Sequence, residues 1–388
     1  MTTTPATTVR VSGVADFAAL GERWRDLERR AECSFFQSWS WTGCLAAERF
    51  PDPVLVEATE SGRTVVLALF NRVRRGIGRS RLYLGETGDA ALDCPYIEDN
   101  GVLAEAGREA ALSEACIAAV AASAVLVLSG IGERTLQAVR RAAGAVWIGK
   151  ASDSPCVDLA ALRLAGADYF DARSANTRQQ VRRSDRVYAS RGKLMVRRAG
   201  SLAEAHAMLD AMADLHQASW TARGQLGSFA APFFGRFHHA LIELAFPSGQ
   251  AALTAVCAAE NVIGILYSFE FRGRVAAYQS GFDYAAAERH AKPGLTCHHA
   301  AIRDALARGL DHYDFLAGGD RYKRSLADSS NQLYWMQAGP AWSLQLLSRR
   351  MRTLLGRCRP ALHPCRCLSQ SRALVKPSAA RSLKRAGG

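Results

Sequence analysis

Three side chains that can transfer protons or bind charge lie close together near residue 320. The stretch GLDHYDFLAGGDRYKRSLA, residues 309–327, carries an apolar-aromatic run, a Gly-Gly pair, and then Asp320, Tyr322 and Lys323. A carboxylate can accept a proton, a phenol can donate one, and an ammonium group can bind an anion. We therefore predict that a strand ends at the two glycines and presents these groups at the mouth of a cleft. The alternative is that Tyr322 and Lys323 only cap a helix.

A second group of candidate residues precedes a predicted helix upstream. The loop ERHAKPG ends in Pro293-Gly294, and Arg289 and Lys292 place cations just before it. Proline is tolerated in the first turn of a helix, and glycine lets the backbone approach a ligand. Unpaired N–H groups and the helix dipole make such a start suitable for binding a phosphate. An ordinary capped helix beside a solvated basic loop is the alternative.

The elements that would position these residues occur twice along the chain. Each half shows a β-hairpin, a third strand, a loop, a helix and another strand, in that order. The first hairpin turns about Ser61-Gly62, and the second half turns at Glu260-Asn261 and Arg272-Gly273. This order predicts an α/β protein with two similar units, each a mixed, mostly antiparallel sheet flanked by helices.

The chain resembles a known family over roughly residues 30 to 340, and most specifically over residues 264 to 325. The motifs that carry this resemblance are Gly281-Phe282-Asp283, Pro293-Gly294, Tyr313-Asp314-Phe315, Gly318 or Gly319, and Tyr322-Lys323. Together they resemble CelD/BcsL-type acetyltransferases of the GNAT superfamily, which are similar in turn to Fem-type aminoacyltransferases. The resemblance implies tandem GNAT-like domains: a degenerate copy at 1–160, an acyl-CoA-binding catalytic domain at 161–345, and a basic tail at 346–388.

The resemblance also implies roles for individual residues. Acetyl-CoA would be the co-substrate, held by Ser280, Gly281, Phe282, Arg289, Lys292, Gly294, Leu295 and Thr296. The catalytic candidates are Tyr322 as proton donor to the leaving thiolate, Lys323 as a charge partner, and Asp320 or Glu270 as general base, with His298 or His299 behind them. Alternatively, Glu270 is only an outward-facing strand residue. One of the two histidines could likewise be an ordinary residue on a helix face. The chain departs from general GNAT enzymes in lacking the Q/R-x-x-G-x-G/A pyrophosphate loop.

The implied reaction is transfer of an acetyl or other acyl group to an amine or hydroxyl of a small molecule or saccharide, in particular an exopolysaccharide or envelope precursor. Two alternatives stay open. One is a Fem-like transferase that takes an aminoacyl group from tRNA, which the basic stretch Arg178–Arg191 could serve. The other is a catalytically inactive GNAT scaffold in polysaccharide assembly.

The net charge of +13 is concentrated at the C-terminal end. Residues 346–388 contain eleven Lys or Arg and no acid, which leaves 38 basic against 36 acidic residues elsewhere. We expect this tail to be flexible, to be either merely solvating or able to contact an anionic membrane surface, and to recognise no specific nucleic acid. We expect no metal at its Cys358, His363, Cys365 and Cys367, because two separated Cys-x2-4-Cys pairs are lacking. Scattered cysteines and the lack of a signal peptide indicate a cytoplasmic protein, which the tail could bring to the inner face of the membrane.

Overall fold

The computed structural model describes residues 7–74 and 80–343, and two successive runs of elements build it. The basic tail, with its predicted flexibility and absence of metal, lies outside these residues. The elements of the first half are β1 (Thr8–Ser12), α1 (Phe17–Arg30), α2 (Trp39–Thr42), α3 (Ala46–Arg49), β2 (Pro53–Glu60), β3 (Arg63–Arg74), β4 (Ser80–Leu84), β5 (Leu103–Ala104), α4 (Glu109–Ala121), β6 (Val125–Ile131), α5 (Glu133–Ala142) and β7 (Ala145–Asp158).

The second half repeats this order after two linking helices. Its elements are α6 (Leu159–Ala165), α7 (Ala175–Ala189), β8 (Leu194–Arg198), α8 (Leu202–Thr221), α9 (Pro232–Ala245), β9 (Ala251–Ala258), β10 (Asn261–Phe271), β11 (Arg274–Phe282), α10 (Pro293–Ala307), β12 (His312–Asp314), α11 (Arg321–Leu326) and β13 (Ser329–Gly339). Hairpin, third strand, helix and strand thus follow one another in both halves, which confirms the predicted repeat.

The turns that join the strands agree with the sequence pattern in two cases and differ in one. Ser61-Gly62 and Arg272-Gly273 form turns in which both residues have positive φ. The second turn, predicted at Glu260-Asn261, lies instead at Ala259-Glu260, because Asn261 already pairs with Ala258 as the first residue of β10. Glycine suits the second position of these turns because it adopts positive φ at little steric cost.

The strands of the described residues form one mixed sheet rather than two separate ones. Its order is β1-β2-β3-β4-β6-β13-β7-β12-β11-β10-β9-β8, with β5 paired to β3. The last strand of each half lies in the sheet of the other half: β7 pairs with β12 of the second half, and β13 pairs with β6 of the first. The two exchanged strands also pair with each other along their whole length. The boundary predicted between residues 160 and 161 therefore lies just after β7, and the sheet continues across it from one half to the other.

The core of the second half is built by helices on both faces of its strands. Every residue of β9 is buried, as expected for a strand covered on both sides. Helices α8 and α9 cover one face with an apolar stripe that includes Met208, Met212 and Phe237. The first half contributes to the same cluster, because the Phe35 ring stacks on Phe269 with centroids 4.1 Å apart. The halves thus share one hydrophobic core. No helix in the part of the chain described here is long and apolar enough to cross a membrane.

Candidate active site

The candidate site lies where two parallel strands of the second half diverge. Strands β11 and β12 pair over only three positions, from Arg274–His312 to Ala276–Asp314. Beyond that point β11 continues to Phe282, whereas the chain after β12 leaves the sheet. The space between them belongs to a cavity of about 970 Å³, lined on one side by Ala277, Tyr278, Gln279, Ser280 and Phe282 and on the other by Phe315, Leu316 and Ala317.

Asp314 turns the chain away from the sheet at this point. The predicted strand ran to Leu316, but β12 ends at Asp314, whose Oδ1 accepts hydrogen bonds from the Leu316 N–H (2.7 Å) and from the Ser154 hydroxyl (2.9 Å). Leu316 then has φ 60°, a left-handed conformation that breaks the strand. Burial raises the pKa of Asp314 to about 6, and the residue does not line the cavity. It shapes the site without contacting its contents.

Lys323 fixes the segment that follows the strand. Its Nζ donates to the carbonyl oxygens of Phe315 (2.8 Å), Ala317 (3.0 Å) and Leu316 (3.3 Å). Burial lowers the pKa of Lys323. An ammonium group has three protons to donate, so these carbonyls occupy its donors. The structure thus gives Lys323 a positioning role in place of the predicted role as a free partner for substrate charge.

Tyr322 lies on the cavity wall and stacks on a buried histidine. The Tyr322 ring lies over His298, with centroids 5.6 Å apart and planes 26° apart. Burial raises the pKa of Tyr322, so its hydroxyl is protonated at neutral pH. Burial lowers the pKa of His298 to about 3, and its Nδ1 lies 2.9 Å from the Tyr313 hydroxyl. His298 is therefore a neutral support for Tyr322.

The start of α10 reaches the same cavity. Lys292, Pro293, Gly294 and Leu295 all line it, and no acidic residue lies in the first turn of this helix. Lys292 is exposed, with its Nζ 2.6 Å from Gln180 Oε1 of α7, and its backbone N–H donates to Ser184 Oγ at 2.8 Å. A helix start with a cation beside it fits an anionic group. This surface is the part of the cavity best suited to a pyrophosphate.

The cavity brings together most, but not all, of the residues predicted from the sequence. Eight of the predicted site residues line it: Ser280, Phe282, Lys292, Gly294, Leu295, Asp320, Tyr322 and Lys323. Gly281, Arg289 and Thr296 do not. Gly281 has a packing reason to be glycine, because a Cβ there would lie 2.3 Å from the Met212 carbonyl oxygen. Thr296 is buried and donates to Asp185 Oδ1 at 2.7 Å, which ties α10 to α7.

Glu270 is corrected as a candidate base. It lies outside the cavity, at the far end of β10, in ion pairs of 2.7 Å with both Arg198 and Arg308. Burial opposes ionisation of this carboxyl, but the hydrogen bonds from the two arginines prevail and lower its pKa. A carboxylate held by two guanidinium groups is a poor proton acceptor. His299, the other histidine of the predicted pair, likewise binds Asp185 (2.8 Å) away from the cavity.

The first half contributes cavity residues that sequence reasoning missed. Glu86, Asp93, Glu98 and Lys150 line the same cavity as Tyr322. Burial raises the pKa of Glu98 to about 7, and its Oε2 accepts a hydrogen bond from the Ala317 N–H. Glu98 stands in an irregular stretch, PYIEDN, more than 200 positions before Tyr322. No local motif marks it, and only the pairing of the two halves brings it to the site.

The corresponding opening in the first half is filled by the chain itself. Strands β4 and β6 also pair in parallel over only three positions, from Arg81–Val125 to Tyr83–Val127. Beyond them lie residues 97–101, here called the plug segment. Asn100 Nδ2 donates to the carbonyls of Leu84 (3.0 Å) and Ser129 (3.3 Å), and its N–H donates to the Gly130 carbonyl (2.9 Å). Among the residues that the structure describes, the first half therefore has diverging strands with the plug segment between them.

Gly130 is required for this closure. It has φ +63°, and a Cβ at its position would lie 2.3 Å from the Ile97 carbonyl oxygen, so any side chain would collide with the plug segment. The opening of the first half is therefore filled by the plug segment, whereas the opening of the second half is part of the cavity.

The comparisons with known proteins agree with this fold. Residues 175–324 match the family model of the acetyltransferase (GNAT) domain. The crystal structure of FemX is 11% identical and has a TM-score of 0.55, covering 88% of this chain and 100% of FemX. L-PGS from Bacillus licheniformis is 10% identical with a TM-score of 0.50, covering 86% of this chain and 96% of its own.

A tandem GNAT protein from the clavulanic acid biosynthesis pathway is 11% identical, covering 86% of this chain and 99% of its own, with a TM-score of 0.44. No curated protein matches the sequence significantly. The chain therefore has an α/β, GNAT-like fold with one mixed sheet flanked by helices, and residues 175–324 match the model of a GNAT acetyltransferase domain.

Proposed function

We propose that this chain transfers an acyl group, in the simplest case acetyl, from acyl-CoA to an amine or a hydroxyl. The observation that carries this proposal is the opening between β11 and β12, with the start of α10 at its edge. A cavity of about 970 Å³ has room for a thioester and part of an acceptor together. The resemblance to CelD/BcsL-type acetyltransferases supports the same reaction.

Different residues of the second half would bind the phosphates and the thioester of acyl-CoA. Lys292 and the backbone at Gly294 and Leu295 would hold the phosphates, since a helix start favours anions. Backbone N–H groups near Ser280 to Phe282 are the candidates to stabilise the oxyanion that forms at the thioester carbonyl. Loss of one such donor costs on the order of 3 kcal/mol in comparable enzymes. Arg289 remains a predicted contributor from outside the cavity.

Two groups at the cavity wall can serve the chemistry of transfer. Tyr322 would donate a proton to the departing thiolate, because its hydroxyl is protonated at neutral pH and its ring is held by His298. Lys323 would act through the backbone of residues 315–317, which it holds in place. Asp320, exposed at the N-terminal cap position of α11, also borders the cavity and is available to bind an acceptor.

The acceptor we propose is an amine or hydroxyl of a saccharide, within exopolysaccharide or envelope-precursor synthesis. This part rests on the family resemblance alone. We propose further that the basic residues 346–388 bring the protein to an anionic membrane surface, where such precursors would be handled. The alternative is a catalytically inactive scaffold in polysaccharide assembly, and measured turnover would exclude it.

A second candidate function is aminoacyl transfer from tRNA, favoured by the surface of α7. Arg182 and Arg186 are exposed on this helix, and Asn176 and Gln180 of the same helix line the cavity. A cationic helix beside the opening could contact a nucleic-acid backbone. The overall likeness to FemX supports this candidate only at the level of the fold.

The experiment that separates these functions is a donor comparison. The full chain is mixed with acetyl-CoA and a panel of amino sugars and hydroxyl-bearing saccharides, and release of free thiol is followed. In parallel it is mixed with charged tRNA and the same acceptors. We expect thiol release that depends on both enzyme and acceptor. Transfer from tRNA without thiol release would favour the second candidate, and neither reaction would indicate the inactive scaffold.

A further inference from the structure

The plug segment does more than close the first half. Its residues Asn100 and Ile97 fill the opening between β4 and β6, and Glu98 between them crosses to the second half. There its Oε2 accepts the N–H of Ala317, in the segment that leaves β12. One irregular stretch of the first half therefore fills its own opening and supplies a carboxylate to the opening of the second half.

The surroundings of Glu98 leave one of its oxygens available. Oε2 is used by Ala317, whereas Oε1 has no hydrogen-bond partner among the residues that the structure describes. Lys323 and Lys150 are the cations that act on this carboxylate, and Asp314 is the neighbouring anion. Glu98 thus faces the cavity with one oxygen anchored and the other open.

Two of the other carboxylates that line the cavity are already hydrogen-bonded within the first half. Asp93 accepts the backbone N–H groups of Thr87 (2.7 Å) and Gly88 (2.8 Å), so it holds a turn. Glu86 accepts the Ser129 hydroxyl at 2.7 Å. Glu270, as shown above, is bound by two arginines outside the cavity. Asp320 also borders the cavity but is exposed at the start of α11, whereas one oxygen of Glu98 is fixed by the Ala317 N–H, so Glu98 is the better-positioned acid for proton transfer.

We propose that Glu98 is the general base that removes the proton from the acceptor, so that the first half completes the active site of the second. This inference rests on the proposed acyl transfer. The acceptor N–H or O–H bond breaks and its proton passes to Glu98 Oε1, while the acceptor atom bonds to the thioester carbonyl carbon. The C–S bond then breaks, and the thiolate takes a proton from Tyr322. Exchange with solvent restores both side chains.

The ionisation of Glu98 agrees with this role. Burial raises its pKa to about 7, whereas a free glutamate ionises near 4.5. A base works best when its pKa lies near the working pH, because it is then both deprotonated in a large fraction of molecules and basic enough to accept a proton.

The test compares Glu98→Gln with the wild type and with Asp99→Asn. Glutamine keeps the length of the side chain and a carbonyl oxygen for the Ala317 N–H, but it cannot act as a base. Asp99 is the adjacent acid, pairs with Arg274 at 3.4 Å and does not line the cavity, which makes it the matched control. Turnover, acetyl-CoA affinity and the pH profile of kcat/KM are measured for all three proteins.

We expect Glu98→Gln to lower turnover by a factor of about 10² to 10⁴, with acetyl-CoA affinity within about twofold of the wild type. The wild-type pH profile should show an ionisation near 7 that is absent from the glutamine variant and present in Asp99→Asn. Turnover within about threefold of the wild type, or an unchanged ionisation near 7, would overturn the role of Glu98.

A second variant separates chemistry from structure. Glu98→Ala leaves space at the side chain, and added formate should restore part of its turnover if the missing function is proton acceptance. No recovery in a folded Glu98→Ala protein would point to a structural role and against the inference. If the wild type releases thiol and the Glu98 variants release it equally fast, the role of Glu98 is wrong but the proposed acyl transfer stands. If the wild type neither releases thiol nor binds acetyl-CoA, both the proposed function and the role of Glu98 are wrong.

Discussion

The Lys323 Nζ atom lies 2.8 Å from the carbonyl oxygen of Phe315, the first residue after β12. The same ammonium group reaches the next two carbonyls, so one side chain of α11 holds the whole segment that borders the cavity. Gly318 allows this approach, because a Cβ at its position would lie only 3.1 Å from Lys323 Nζ. Gly318 and Lys323 therefore together keep the opening in shape.

Replacing Lys323 by methionine should destabilise the protein. Methionine keeps a long flexible chain but cannot donate to the three carbonyls, which would lose their charged partner in a largely buried place. We expect the free energy of unfolding, measured by denaturant titration, to fall by about 2 kcal/mol. The control is Lys193→Met, since Lys193 is exposed at the turn before β8 and its loss should change stability little. Equal stabilities of the two variants would show that the lysine does not hold this segment.

Removing the hydroxyl of Tyr322 should slow turnover without weakening acetyl-CoA binding. Tyr322→Phe keeps the ring and its stacking on His298 but loses the proton that would go to the thiolate. General acid catalysis contributes about 10²–10⁴-fold, so kcat should fall by at least about 10²-fold while the dissociation constant stays the same. Tyr334→Phe, on β13 and away from the cavity, is the control. A Tyr322→Phe protein as active as wild type would remove Tyr322 from the mechanism.

Lys292 should contribute more to acetyl-CoA binding than Arg289 does. Lys292 lines the cavity at the start of α10, whereas Arg289 is exposed and does not line it. A charge-assisted hydrogen bond contributes about 1.5–3 kcal/mol, so Lys292→Ala should raise the dissociation constant about tenfold or more. Arg289→Ala should have a clearly smaller effect. Calorimetric titration measures both, and equal losses would move the pyrophosphate site toward the loop that precedes the helix.

The buried carboxyl of Asp314 should make stability depend on pH. Burial raises its pKa from 3.8 to about 6, so the folded protein binds this proton more tightly than the unfolded chain does. The group therefore favours folding most below about pH 4, and this advantage is lost as the pH rises through about 6. Asp314→Asn keeps an acceptor for the Leu316 N–H and carries no charge at any of these pH values.

The free energies of unfolding of wild type and Asp314→Asn are to be compared at pH 4 and at pH 7. Between pH 4 and pH 7, the free energy of unfolding of the variant should rise by about 2 kcal/mol relative to that of the wild type. The reason is that only the wild type carries a buried charge at this position at pH 7. Other buried acids, such as Glu86, are present in both proteins and cancel in the comparison. A difference that is the same at both pH values would mean that Asp314 is ionised normally.

Much of the local structure could be predicted from the sequence, because it depends on neighbouring residues. The patterns of apolar residues predict the strands, and the Ser61-Gly62 and Arg272-Gly273 turns lie where their residue types predict them. The start of α10 at Pro293-Gly294 also agreed with its residue types. These features are set within a few positions of the chain.

The exchange of β7 and β13 could not be predicted in this way. Both strands have ordinary strand patterns, and their partners are chosen by the packing of the whole sheet. The same holds for Glu98, whose pKa is raised mainly by burial and also by the charge of Asp314, a residue far away in the sequence. The prediction of Glu270 as a base was wrong although its position on a strand was predicted correctly. Its carboxylate forms ion pairs with Arg198 and Arg308, and the sequence gives no sign that these distant residues lie beside it.

Hydrogen–deuterium exchange with and without saturating acetyl-CoA tests most directly whether the opening between β11 and β12 is the acyl-CoA site. We expect slower exchange at residues 277–282 of β11 and at residues 293–298 at the start of α10, which border the cavity. Residues 82–85 and 125–131 should not change, because Asn100 and its neighbours fill the matching opening of the first half. Protection confined to the first half, or no protection anywhere at saturating acetyl-CoA, would contradict the assignment of this site.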